Sequence, residues 1–197
     1  MQHFDLILKN VFKHIHLNKD EIDYFTSLLV RKQVAKKTIL LHEAQACKYL
    51  SYVYSGALRA YYIDKSGKES TIMFAVADWW VTDMYCFLNN KPAMMFIETI
   101  ADSIIYQISK TNFDKLFTDI PKFERFFRIL MQNAYTREQL RIIENLSLPA
   151  EERYNSFVKK YPHIAEAVTQ KQIASYLGIT PEFLSAIRKE KTLKRIS

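Results

Sequence analysis

Glycine and proline are scarce, at three and five among 197 residues, which excludes collagen-like and low-complexity readings. No run approaches the ~20 uninterrupted apolar residues that a membrane-spanning helix requires. The opening segment MQHFDLILKNVFKHIHL carries an early acid and no small-residue cleavage site, so a secretory signal is not expected either. The two cysteines, Cys47 and Cys86, stand far apart in sequence and outside any metal-ligand spacing. They suit a reduced cytoplasm, where a buried cysteine behaves as a small hydrophobe. Histidine is also thin. His14 and His16 fall in an N-terminal helical stretch, and His42 stands beside Glu43 with no partner at ligand spacing, so no metal site is expected. Neither a glycine-rich phosphate loop nor a nucleophile elbow occurs. The expectation is a cytoplasmic protein without cofactor or metal, and not an enzyme.

What is present begins with enough apolar material, 49% of residues, to bury a core. The net charge of +7 fits a polyanionic partner, and its distribution says more than its total. From Thr169 to Ser197, Lys171, Arg188, Lys189, Lys191, Lys194 and Arg195 face only Glu182 and Glu190, so +4 of the +7 lies in this last stretch.

The hydrophobic period divides the chain. Phe4, Leu8, Val11, Phe12 and Ile15 recur at helical intervals, and Asn18 is placed to cap a second helix through Ile22, Phe25 and Leu29. From about residue 31 to 108, short runs rich in β-branched and aromatic residues follow one another: TILLHE, YLSYVYSG, LRAYYID, STIMFAV, MFIETIA and SIIYQIS. With breaks at Ala44-Gln45, Ser55-Gly56, Lys65-Ser66-Gly67, Asn89 to Pro92 and Ala101-Asp102, they predict a small antiparallel barrel or sandwich. Ser109 or Thr111 can then cap a short helix. Pro121 opens a long helical run to about Leu148. Phe123, Phe126, Phe127, Leu130, Met131, Ala134 and Tyr135 form its apolar stripe, which resumes at Leu140, Ile142, Ile143 and Leu146 after the polar turn Thr136 to Gln139. A helix of about 25 residues spans roughly 37 Å, longer than one small domain needs. Its stripe can cover the barrel, a second copy of the chain, or both, and its size favours both. Pro149 ends the helix, and an all-helical unit follows.

Within that unit, TQKQIASYLGITPEFLSAIRK carries the most specific signal. Thr169 caps a first helix from Gln170 to Leu177. Gly178 supplies a left-handed turn residue, and Thr180 caps a second helix with Pro181 at its first position. Ile173, Leu177, Ile179, Leu184 and Ile187 lock the helices together, and Ala174 is small where they cross. This is a helix-turn-helix pattern, in which the second helix enters the major groove of DNA. Its exposed early positions include Glu182, Ser185, Ala186 and Arg188. Glu182 can accept from a cytosine amino group and Arg188 can reach guanine or phosphate. Gln170, Lys171, Thr180 and Lys189 are placed to hold phosphates.

The order barrel, long helix, helix-turn-helix resembles the Crp/Fnr superfamily over essentially the whole chain. The strand-turn-strand YLSYVYSGALRAYY, the stretch LSLPAEERY and the recognition helix TPEFLSAIRK carry the likeness, which is nearest to the short-tailed members of Bacteroidetes-type bacteria. The resemblance implies an α+β fold: an N-terminal antiparallel β-roll of the cyclic-nucleotide-binding type (a double-stranded β-helix) within residues 1–120, a dimerisation helix over 121–148 and a DNA-binding domain over 149–197. It implies a homodimeric transcription regulator that reads near-palindromic double-stranded DNA, with RNA polymerase as a further partner. Departures from the pattern are as informative. Members that bind cyclic AMP carry Gly-Glu and then Arg-Ser in the phosphate-binding stretch, where this chain has Val81-Thr82 or Thr82-Asp83 and Ala93-Met94. Nothing there neutralises a cyclic phosphate and Asp83 repels one, so cyclic AMP is not the expected effector. Two cysteines also cannot supply the four thiolates of the iron–sulfur cluster some relatives use. Ala186 replaces a base-reading arginine, and little room is left for the wing hairpin of longer relatives. An effector pocket for another small molecule would draw on Trp80, Thr82, Asp83, Met94, Glu138 and Gln139. Trp79 and Trp80, adjacent on a strand, are expected to face opposite ways, either both as packing residues or one towards ligand.

Overall fold

A computed structural model describes the backbone of residues 4–196 and the side chains of residues 4–189. The charges counted above at Glu190, Lys191, Lys194 and Arg195, and the first three residues of the opening segment, lie outside the described residues. Two helices open the chain, α1 (Asp5–Phe12) and α2 (Lys19–Ser27). Asn18 caps α2 as its position predicts, accepting from the Glu21 amide while the Glu21 carboxylate accepts from the Asn18 amide.

Eight strands follow: β1 (Val30–Val34), β2 (Ile39–Leu41), β3 (Tyr49–Ser55), β4 (Ala57–Ile63), β5 (Glu69–Val76), β6 (Trp79–Val81), β7 (Phe96–Thr99) and β8 (Ser103–Ser109). They form two antiparallel four-stranded sheets, ordered β1-β8-β3-β6 and β2-β7-β4-β5. The six apolar runs read from the sequence fall on β2, β3, β4, β5, β7 and β8. β1 reads VRKQV with only Val34 buried, so its polar, exposed edge gives no alternation to detect. Consecutive strands β3 and β4 lie in different sheets, and the chain crosses between them at Gly56, whose φ is +89°. A Cβ there would stand 2.3 Å from Ser103 Oγ and 2.4 Å from the Asp102 carbonyl oxygen, so glycine is required by space as well as by conformation.

A short helix, α3 (Met84–Asn89), lies between β6 and β7. After the roll, Ser109 caps α4 (Lys110–Asp119) by accepting from the Asn112 amide. Pro121 precedes the long α5 (Lys122–Ser147), and Pro149 separates it from α6 (Ala150–Lys160), α7 (Pro162–Ala167), α8 (Gln170–Leu177) and α9 (Pro181–Ile196). The long helix is divided along its length. Phe123, Phe126 and Phe127 are buried against α1, α2, β3, β8 and α4, with Trp80 packing edge-on to the ring of Phe127 at 5.5 Å. Further along, Tyr135, Leu140, Ile142, Ile143 and Leu146 are exposed, Leu146 at 85%. The first half of the stripe therefore covers the chain's own roll, while the second half stays largely exposed among the described residues.

A separate cluster joins the roll to the helical unit: Ala57, Phe74 and Ile100 pack with Phe157, Ile164, Val168, Ile173, Leu177 and Leu184. Ser175 on α8 fastens this contact to β5, accepting from the Thr71 amide at 2.8 Å and donating to the Glu69 carbonyl at 2.8 Å.

Candidate nucleic-acid interface and roll interior

The two-helix unit at the end of the chain is built by local chemistry. Thr169 accepts from the Gln172 amide, and the Gln172 side chain returns to the Thr169 amide at 2.9 Å, a reciprocal cap that starts α8. Gly178 stops it at φ +68°, in the left-handed region where a β-carbon is disfavoured. The Ile179 amide then reaches back to the Ala174 carbonyl at 3.0 Å, and Thr180 accepts from the Phe183 amide at 3.2 Å to start α9. Ala174 and Leu184 are fully buried where the helices cross, with Ile173, Leu177 and Ile187 around them.

Burying Leu184 and Ile187 turns Glu182, Ser185, Ala186 and Lys189 outward, because at about 100° per residue these four cluster on the opposite side of the helix. Arg188 lies at the edge of that face and is exposed, as are Gln170, Lys171 and Thr180 at the starts of the two helices. All seven residues predicted to meet DNA thus lie on the surface, none consumed by the core. Behind the unit, Arg153 donates to the Leu177 carbonyl at 2.8 Å and to Asn145 at 2.9 Å, linking α6, α8 and the end of α5. Arg141 lies over the ring of Tyr176 at 5.0 Å, and burial pushes the Tyr176 phenol up to about 12 against the pull of Arg141.

The six residues suggested for an effector pocket fall into separate surroundings. Trp80 packs against Tyr52, Phe126 and Phe127 and donates to Asn10 at 3.2 Å. Trp79 faces the other way, edge-on to Tyr161 and beneath the Arg137 guanidinium at 4.7 Å, so both indoles are packing residues on opposite faces. Thr82 is buried and donates to the Tyr49 carbonyl. Met94 is exposed at a different cleft, beside His42 and Phe96. Glu138 pairs with Arg141 at 2.8 Å and lies 3.6 Å from Arg137, while Gln139 is exposed on α5. Glu138 is thus drawn to arginines of its own helix rather than into the roll interior.

Asp83 is fully buried, and its two oxygens are already engaged. One accepts from the Cys86 amide at 3.1 Å, the other from the Met94 amide at 2.7 Å, across the turn between β6 and β7. A carboxylate of the chain itself thus holds the amides of the turn that follows β6.

The roll has a cavity of about 400 Å³, lined by residues from β2, β3, β6, β7 and β8 and by the β2–β3 connection, Lys48 among them. Its walls include Leu40, Leu41, Val81 and Ile97, and its polar groups include Ser51 and Gln107. Gln107 is 4% exposed. Its amide nitrogen donates to Ser51 Oγ at 2.9 Å, and its carbonyl oxygen has no hydrogen-bond partner among the described residues. Sequence reasoning missed this pair. The available signal was a glutamine in the middle of the apolar strand SIIYQIS, where a buried amide demands a partner. Among the described residues no group of three or more His, Cys, Asp or Glu is placed to hold a metal ion, and no helix is long and apolar enough to cross a membrane.

The chain thus combines a two-sheet roll, a long helix and a helix-turn-helix unit whose second helix has an open outer face. Known proteins share this organisation. A family model, the cyclic nucleotide-binding domain, matches residues 31–119. The anaerobic regulatory protein of Pasteurella multocida is 24% identical over 185 residues, covering 87% of this chain and 66% of that protein. The fumarate and nitrate reduction regulatory protein of Yersinia pestis is 25% identical, covering 87% and 72%. The chain thus spans about two thirds of the length of such curated relatives. Among solved structures, the c-di-GMP-responsive global regulator CLP of Xanthomonas campestris has the same fold, with a TM-score of 0.74, 15% identity and coverage of 90% of this chain and 93% of that one. A regulator of the Crp/Fnr family from Eubacterium rectale gives a TM-score of 0.73, 20% identity and coverage of 90% and 85%. Over most of its length the chain is thus similar to regulators of the Crp/Fnr type.

Proposed function

We propose that this chain is a cytoplasmic regulator that binds double-stranded DNA as a homodimer, with α9 in the major groove and the second half of α5 as the dimer seam. The observation that carries this reading is the recognition face of α9, exposed over Glu182, Ser185, Ala186 and Lys189 while its other side is locked by Leu184 and Ile187. Glu182 and Ser185 meet base edges, and Arg188 meets a base edge or a phosphate. Lys171 and Lys189 meet phosphates, together with Gln170 and Thr180 at the helix starts, where backbone amides add to the anion-holding field. Tyr135, Ile142 and Leu146 recur at intervals of seven and four, which places them in one strip about 40° wide along α5, the spacing of a two-helix seam. RNA polymerase is a further partner of the DNA-bound dimer, and the chain acts by binding rather than by catalysis.

Cyclic AMP is not its effector in this reading. A cyclic phosphate needs a cation and free amides, whereas Ala93 is an apolar, buried residue and Asp83 already fills the amides of the turn. A different small molecule fits the roll interior: uncharged or weakly polar, with a donor for the Gln107 carbonyl and an apolar body against Leu41, Val81 and Ile97. Footprinting on genomic fragments selected by the purified protein tests the DNA reading. Two protected half-sites about one helical turn apart are expected. A single short footprint, or no fragment selected above background, refutes it. Native mass spectrometry of the same preparation reports the dimer and any retained small molecule.

A further inference from the structure

Cys47 and Cys86, 39 residues apart in sequence, meet in space at one end of the roll. Cys47 lies in the connection between β2 and β3 and is partly exposed, whereas Cys86 lies in α3 and is 1% exposed. The Cys47 amide donates to Cys86 Sγ at 3.0 Å, and Cys47 Sγ lies 2.9 Å from Thr82 Oγ1. Cys47 Sγ is three bonds from the nitrogen that touches its partner, so rotation about a single side-chain torsion sweeps it towards Cys86. A cleft of about 270 Å³, lined by both cysteines with Asn90 and Lys91, gives a small solute access. Two small hydrophobes filling a core would not need such a cleft, and neither thiol belongs to the DNA-reading face. The pair also lacks the further ligands a metal would need. Among the described residues no third donor is in place, and both oxygens of nearby Asp83 are held by amides.

We propose that Cys47 and Cys86 form a reversible intrachain disulfide in response to a hydroperoxide, tying the β2–β3 connection to α3. Cys47 meets the oxidant because Cys86 is buried. The Cys47 thiolate attacks the peroxide oxygen and the O–O bond breaks. The leaving alkoxide takes up the thiol proton and departs as an alcohol, or as water from hydrogen peroxide, leaving a sulfenic acid on Cys47. Cys86 then attacks the Cys47 sulfur, and the S–O bond breaks. The departing hydroxide collects the Cys86 proton and leaves as water. Two thiols and one hydroperoxide thereby give one disulfide, one alcohol and one water. Burial pushes the Cys86 thiol up, against the lowering pull of the Cys47 amide, which keeps it protonated and makes it the second sulfur to react. A low-molecular-weight thiol returns the pair to the reduced form by exchange.

The test uses the full chain, reduced and then treated with hydrogen peroxide, quenched, and alkylated in denaturant for intact-mass and peptide analysis. The expected result is a fall from two alkylated cysteines to none, with one peptide pair joining positions 47 and 86 within a single chain, reversed by dithiothreitol. In C86S, Cys47 should instead accumulate as sulfenic acid that a dione probe captures, and in C47S, Cys86 should stay alkylatable. Two alkylated cysteines after treatment, over-oxidation of Cys47 in the wild-type chain without a link, or a link between two chains would each overturn the proposal. Because the readout is mass, its failure is separate from any failure of DNA binding.

Discussion

The exposed half of α5 makes the dimer reading quantitative. Ile142 is 56% exposed and Leu146 is 85% exposed, and neither belongs to a buried cluster among the described residues. Fully burying such a side chain is worth about 1.5–3 kcal/mol, so their remaining surface contributes roughly 3 kcal/mol per protomer when a second helix covers it. Replacing both with glutamate removes that term from each copy and sets four carboxylates in the seam. A loss of at least about 6 kcal/mol per dimer corresponds to roughly four powers of ten in the dimer dissociation constant. Sedimentation equilibrium of I142E/L146E is therefore expected to give a monomer at micromolar concentration where the wild-type chain is a dimer. The far-ultraviolet dichroism should not change, because the folded protomer keeps all of its own packing. A double variant that sediments as the wild-type dimer would refute the assignment of this face, and a wild-type monomer would refute the dimer itself.

Other expectations follow from single residues. Gly56→Ala places a Cβ against the Asp102 and Ser103 backbone at φ +89°, so unfolding should occur at least about 5 °C lower by calorimetry, the shift for a cost of about 2 kcal/mol or more. Asp83→Ala strips two buried amides of their acceptor, which costs about 1–3 kcal/mol each, and calorimetric titration should still show no cyclic AMP binding. Leu184→Ala empties a fully buried position between α8 and α9 and should lower stability to denaturant by about 2–5 kcal/mol. Lys171→Ala, at an exposed position, should leave stability unchanged and reduce the salt slope of DNA binding by about two per dimer, one for each phosphate that is no longer neutralised.

The helix-turn-helix unit was legible in the sequence because its determinants are local. Thr169, Gly178, Thr180 and Pro181 act within a few residues of themselves, and the buried positions repeat at helical intervals. The strands were legible from their apolar runs, except β1, whose VRKQV sequence lies along an exposed edge, and the three-residue β6. The interior of the roll was not legible, since it is assembled by antiparallel pairing across long separations. Ser51 meets Gln107 because β3 and β8 are neighbours, and Cys47 meets Cys86 because α3 folds back beneath the β2–β3 connection. Pocket candidates included Trp80 beside the phosphate-binding stretch and Glu138 from the polar turn of the long helix, which the structure commits to an aromatic cluster and to arginine pairs. An aromatic run and an acidic residue look alike in sequence whether they face a ligand or a neighbouring helix.

The central claim is that α9 reads DNA, and fluorescence anisotropy of the wild-type chain on a selected genomic fragment, across a salt series, tests it most directly. Lys171 and Lys189 neutralise about two phosphates per protomer and about four per dimer, while Gln170 and Thr180 add uncharged contacts, so log affinity should fall against log salt with a slope near about −4. Between 50 and 200 mM salt that is a drop of roughly two-hundred-fold. A steep slope that becomes shallower in the Lys171→Ala and Lys189→Ala variants is what the account predicts. Salt-insensitive binding, or a slope that neither substitution alters, would contradict it.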